Sequence, residues 1–154
     1  MNYFIDEGVS KGKNLFSPHG LRIDGKNGIK IISDPKGARD FIGFGPAMVL
    51  NGLPTNERNN LDDGFYHGLH PRTAFGEDED EYFIIMVHGR RKLLGHRGMS
   101  IPELRDFCIA ELKLKNAGNF DGGGSSLVLN EFGVPLNKYL EFRGLDNAVA
   151  FYLK

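Results

Sequence analysis

Cysteine is all but absent from this chain. Cys108 is the only one in 154 residues, which excludes an internal disulfide and suits a reducing compartment. Long apolar runs are missing as well: no stretch approaches the roughly 20 residues that a membrane-spanning helix needs. The opening M-N-Y-F-I-D-E-G lacks the basic-then-apolar layout of a secretory signal. Neither sign of charge dominates, and a net charge of -1 leaves no electrostatic footprint for nucleic acid or an anionic membrane. The expectation is a cytoplasmic protein, exported only if a leader was removed, with neither nucleic acid nor membrane as partner.

Glycine is what the chain has in excess. Its 21 glycines are roughly double the usual share of about 7% and follow no collagen-like period, so they imply many turns and strands. Apolar residues at 40% and charged residues at 25% are ordinary for a globular protein, and the length fits a single domain over 1–154.

Turn signals partition the chain. Asp24-Gly25-Lys26-Asn27-Gly28 predicts a hairpin joining strands at 21–23 and 29–32. Ala47 to Leu50 is a short apolar strand, and the polar stretch from Leu53 to His70 reads as one long loop. Tyr82 to Val87, apolar at every position, predicts a central strand. The run E-D-E-D-E before it, residues 77–81, lacks the spaced ligands and central glycine of a calcium loop and reads as a solvated turn. Ser100-Ile101-Pro102-Glu103 is a capping box, followed by Ile101, Leu104, Phe107, Cys108 and Leu112 on one helical face, with Gly118 as the expected stop. Cys108 lies on that buried stripe, so packing is its expected role. Further strands are expected at 127–129 and 148–153. The sum is an α+β domain, a mixed and mostly antiparallel sheet with one or two packed helices.

The chemistry-bearing residues cluster in a few segments. Asn119-Phe120-Asp121-Gly122-Gly123-Gly124-Ser125-Ser126 places a carboxylate beside bare backbone that can cradle an anion, although a glycine triplet is by itself more often a tight turn. No G-x-G-x-x-G or G-K-[ST] accompanies it, which sets aside the dinucleotide and P-loop fingerprints. In His70-Pro71-Arg72-Thr73-Ala74, Arg72 suits bidentate capture of phosphate or carboxylate, although taken alone a surface ion pair or a core-edge arginine is the favoured reading. Arg143 has the same two readings. The five histidines show no paired metal spacing, and no metal site is assigned.

Taken in order, H-P-R-T-A-F-G (70–76), V-H-G-R (87–90), G-M-S-I-P-E-L (98–104), N-F-D-G-G-G-S-S (119–126) and R-G-L-D-N-A (143–148) resemble the phosphodiester glycosidase family, uncovering-enzyme-like. G-F-G-P-A-M-V-L-N-G (43–52) extends the resemblance, which covers roughly residues 43 to 154 in an N-terminally short version. His88 departs from the family pattern, standing where the family often has aspartate.

The resemblance implies hydrolysis of a sugar-1-phosphodiester, N-acetylglucosamine being the sugar named in the family. Free sugar and a phosphate monoester would leave, with no cofactor required and a divalent cation possible but not indicated. It implies Asp121 and Arg72 as catalytic residues. Asn119, Thr73, Gly122, Gly123, Gly124, Ser125 and Arg143 would bind a small-molecule or glycan phosphodiester. A module that holds a phosphosugar or nucleotide without cleaving it is the competing expectation.

Overall fold

The computed structural model describes residues 4–11, 18–24, 28–58, 61–136 and 149. Among the described residues, ten strands form two five-stranded sheets, and every pairing within each sheet is antiparallel. The first sheet contains β1 (Phe4–Asp6), β2 (Val9–Lys11), β3 (Gly20–Asp24), β4 (Gly28–Ile32) and β5 (Asp40–Gly43), ordered β2-β1-β5-β3-β4. The second contains β6 (Ala47–Leu50), β7 (Leu53–Pro54), β8 (Arg72–Glu77), β9 (Tyr82–Val87) and β10 (Asn116–Asn119), ordered β7-β6-β10-β8-β9. The α+β class therefore holds, with two antiparallel sheets where the sequence suggested one mixed sheet.

Alternation along the strands decides what lies between the layers. Leu21 of β3 and Phe75 of β8 share one buried cluster with Phe44 and Ala47, flanked by Ile23, Ile29 and Ile31, so the sheets pack face to face. Tyr82 Oη adds a bond to the carbonyl of Ile29 at 2.9 Å. The opposite face of the second sheet carries α1 (Asp63–His67) and α2 (Ile101–Ala110). There Met48, Val49, Ala74 and Ala117 meet Ile101, Leu104, Cys108 and Leu114. Burying each large apolar side chain of that cluster is worth about 1.5–3 kcal/mol.

The helix at Ser100 forms as its capping box predicts. The Ser100 hydroxyl accepts from the Glu103 N–H at 3.2 Å, and Glu103 accepts from the Ser100 N–H at 2.8 Å. Four expectations change. The helix ends at Ala110, and Gly118 lies inside β10, where a Cβ would fall 2.2 Å from the Phe44 ring. Among the described residues strand β9 stands at the edge of its sheet and not at the centre: it pairs there with β8 alone, and Tyr82 and Ile84 are about half exposed. Phe83, Ile85 and Val87 pack against the helix-side cluster, while Tyr82 and Ile84 on the other face stay half exposed.

The expected loop from Leu53 to His70 contains β7 and the short α1, which Asp62 caps through the Phe65 N–H. Glu57 fastens this segment to β6, accepting from Ala47 N at 3.1 Å and meeting His19 Nδ1 at 2.5 Å. Residues 127–129 form no strand, only an isolated bridge from Leu129 to Pro135. The strand expected at 148–153 lies outside the described residues.

Candidate functional site

Register brings the sequence-distant segments to one end of the second sheet. Arg72 opposite Val87, Asn119 opposite Ala74 and Gly118 opposite Ala47 set the start of β8, the ends of β9 and β10, and the start of β6 side by side. Segments 44–46, 70–72, 88–90 and 119–124 all leave the sheet there. Backbone then meets backbone. His70 and Met99 exchange N–H···O bonds of 3.2 and 3.0 Å. A Cβ on Gly98, whose φ is +92°, would lie 2.5 Å from the His70 carbonyl oxygen, and one on Gly89 would lie 2.8 Å from Pro71 N.

The glycine triplet joins this crowded knot. A Cβ on Gly122 would lie 2.9 Å from the Pro71 oxygen, and one on Gly123 would lie 3.0 Å from Arg90 Nη2. Gly123 also needs its φ of +64°, a region glycine enters without the cost other residues bear. The amides are not a bare cradle. Gly122 N–H donates to Asp121 Oδ1 at 2.8 Å and Gly123 N–H to the Pro71 carbonyl at 2.9 Å. The Ser125 and Ser126 amides close a 3₁₀ turn onto Gly122 and Gly123. The glycines serve close approach of this chain to itself, and of the triplet's amides only that of Gly124 has no such bond.

Arg72 is wholly buried, at 0% exposure, and stacks over Phe65 at 4.7 Å. Its Nε donates to the Met99 carbonyl at 2.9 Å, and Nη2 donates to those of Phe65 (2.6 Å) and Gly68 (2.9 Å). Those last two acceptors are carbonyls at the C-terminal end of α1, which a helix cannot satisfy internally. Nη1 has no partner, and among the described residues no carboxylate pairs with this cation. Burial, and then the charge of Arg90, lowers its pKa to about 10. The core-edge arginine is thus the better description of its contacts, and the geometry offers no open fork for bidentate capture.

The other expected residues separate. Asp121 is exposed at the mouth of the turn. Asn119 is fully buried: its Nδ2 donates to the carbonyls of Gly45 (2.8 Å) and Phe120 (2.5 Å), and its Oδ1 has no partner. It therefore anchors the Gly45–Pro46 segment, where the peptide bond is cis. Thr73 follows Arg72 in β8, so the pleat turns it to the opposite face, with its Oγ1 buried and unpartnered. Arg143 and its motif lie outside the described residues.

Arg90 and His70 are the functional candidates that sequence reasoning missed. Arg90, at φ 58°, turns back so that its guanidinium covers Gly123 and reaches His70 Nδ1 at 3.3 Å. The signal was present: a basic residue directly after the histidine-glycine pair that ends an apolar strand. Cys108 is buried with its thiol pushed up to about 12, in keeping with packing. Asp78 in the acidic turn accepts from the Asp80 and Glu81 amides, which lower its pKa. Among the described residues, no three His, Cys, Asp or Glu side chains gather to hold a metal, and no helix is long and apolar enough to cross a membrane.

The phosphodiester glycosidase family model matches residues 7–152. This chain belongs to the phosphodiester glycosidase family. Among solved structures, it is similar to the zebrafish N-acetylglucosamine-1-phosphodiester α-N-acetylglucosaminidase catalytic domain, auto-inhibited by its pro-peptide. The TM-score is 0.64 at 18% identity, over 94% of this chain and 54% of that one. A hypothetical protein from Synechocystis matches at TM-score 0.58 and 20% identity, over 71% of this chain and 21% of that one. These likenesses establish a shared fold, and this chain spans about half the length of the zebrafish one. No curated protein matches it.

Proposed function

We propose that this chain hydrolyses a sugar-1-phosphodiester at the anomeric carbon, with N-acetylglucosamine, the sugar in the zebrafish protein's name, as the sugar. The observation that carries this is the meeting of the Arg90 guanidinium and the Arg72 stem at the Gly122–Gly123 turn, directly after the exposed Asp121, with the charge of Arg90 felt at Arg72. Water attacks the anomeric carbon, the bond from that carbon to the phosphate oxygen breaks, and the electron pair leaves with the phosphate monoester. Asp121 takes the proton from the attacking water and returns it to solvent. Leaving-group charge is already diffuse on a phosphate, so the site has more need of positive charge than of a general acid. Arg90 meets the phosphate, while Arg72 adds its field from beneath Gly122 and holds the turn's floor. Gly124 N–H adds a backbone donor at the mouth.

Product analysis with a soluble alkyl phosphodiester of N-acetylglucosamine-1-phosphate tests this. Free reducing sugar from the wild type, lost in Asp121→Asn, is the expected result. Release of sugar-1-phosphate would mean cleavage of P–O and sink the mechanism. Tight binding without any product would make the chain a module that holds its ligand.

A further inference from the structure

A net charge near zero conceals an uneven distribution. Between Glu81 and Glu103 the chain has no acidic residue, yet it carries Arg90, Arg91, Lys92 and Arg97 along with His88 and His96. The structure folds the densest part into a closed loop. Arg91 and His96 exchange backbone bonds of 3.0 and 3.1 Å, and Leu94 N donates to the Arg91 carbonyl at 3.0 Å over the 3₁₀ turn Lys92–Leu94. At its tip Leu93 is 103% exposed and Leu94 61%. Folding gains nothing from leaving that much apolar surface in water. The rings of His88 and His96 meet edge to face at 5.4 Å, and Arg97 pairs with Glu103 at 2.9 Å while remaining 69% exposed.

We infer that the loop over residues 90–97 docks on an anionic lipid surface. The two leucines enter the interface and the basic residues around them meet headgroup phosphates. Two leucines alone are a weak anchor, so the apolar tip and the basic collar must act together. This proposal runs against the expectation, drawn from overall charge, of no membrane partner. The loop begins at Arg90, which covers Gly123, so docking brings the candidate site to headgroup level. The substrate class that follows is a sugar-1-phosphodiester whose other ester is a lipid alcohol. That second part rests on the proposed glycosidase activity; the docking does not.

Flotation of the purified chain with phosphatidylcholine vesicles, and with vesicles of equal parts phosphatidylcholine and phosphatidylglycerol, tests the docking at low and high salt. Binding to the anionic vesicles, weakened by salt and about tenfold lower in Leu93→Ser/Leu94→Ser, is expected. The variant's thermal midpoint should match the wild type, because both side chains already sit in water. No binding to anionic vesicles, or binding undiminished in the double variant, overturns the docking. Self-association lost in the double variant, without vesicle binding, also overturns it and assigns the leucines to a second copy. For the substrate class, the wild type should cleave a vesicle-borne lipid phosphodiester about tenfold faster than the soluble alkyl one, an advantage the double variant loses. Equal rates on both substrates overturn the lipid assignment. A docked chain that cleaves neither supports docking and sinks the glycosidase reading instead.

Discussion

Nη2 of Arg90 stands 3.3 Å from Nδ1 of His70, and the other ring nitrogen of His70 lies 3.1 Å from the Gly64 carbonyl oxygen. Only one arrangement of the proton serves both contacts. Nε2 must carry it and donate to Gly64, leaving Nδ1 to accept from the guanidinium. His70 is therefore a positioning residue for Arg90. His70→Ala should raise KM about tenfold with a smaller change in kcat, whereas Arg90→Gln should lower kcat/KM by about a hundredfold. Steady-state kinetics on the soluble phosphodiester would separate the two, and an equal loss of kcat in both variants would argue against a positioning role.

Arg72 should prove as important to folding as to any reaction. Arg72→Met removes a donor from three part-buried carbonyls and leaves those of Phe65 and Gly68 unpaired, each at a cost of about 1–3 kcal/mol, while that of Met99 keeps its bond from His70 N–H. A loss of about 3 kcal/mol or more in urea unfolding is expected. A variant as stable as the wild type would contradict the contacts described above.

Gly118 has no room for a methyl group. Three atoms of the Phe44 ring would lie 2.2–2.4 Å from its Cβ, and both residues sit within the inter-sheet core. Gly118→Ala should destabilise by about 1–3 kcal/mol, read as a lower thermal midpoint.

The cap of α2 makes stability depend on acid. The Ser100 N–H, followed by the Ser100 hydroxyl and the charge of Arg97, holds the Glu103 carboxyl below its ordinary 4.5. A depressed carboxyl contributes stability above the unfolded value and loses it as pH falls through the folded one. The midpoint difference between wild type and Glu103→Gln should be constant at neutral pH and shrink below 4.5. An unchanged difference in acid would count against the cap's charge.

Cys108 should resist alkylation in the folded state, because burial pushes its thiol up to about 12. Mass spectrometry after iodoacetamide treatment should find label only once denaturant is added.

Local rules were readable where the interaction itself is local. The Ser100–Glu103 box, the hairpin joining β3 to β4 and the acidic turn at 78–81 each depend on a few neighbouring residues. Tyr82–Val87 was recognisable as a strand, yet its place in the sheet depends on its pairing with β8, which its own residues do not encode. Gly118 read as a helix stop because nothing near it in sequence announces Phe44, 74 residues earlier. The motif segments were found in order, and Asp121 sits at the mouth as expected. For Arg72 the core-edge reading was open in the sequence, but strand alternation alone does not say that α1 would offer it carbonyls. His70 and Arg90 escaped notice because their partnership exists only after β8 and β9 pair.

The knot at Pro71, Gly89, Gly98 and Gly122 fixes its spacing by main chain alone, with no rotamer intervening. Its dimensions are those of the peptide unit itself, so no substitution can fine-tune them and few can be absorbed. New substrate preference in such a protein has to be sought in the rim around that joint. A mutational library spread over residues 92–95 and 124–128 would explore specificity, while one aimed at the four joint residues would mostly return chains that no longer assemble.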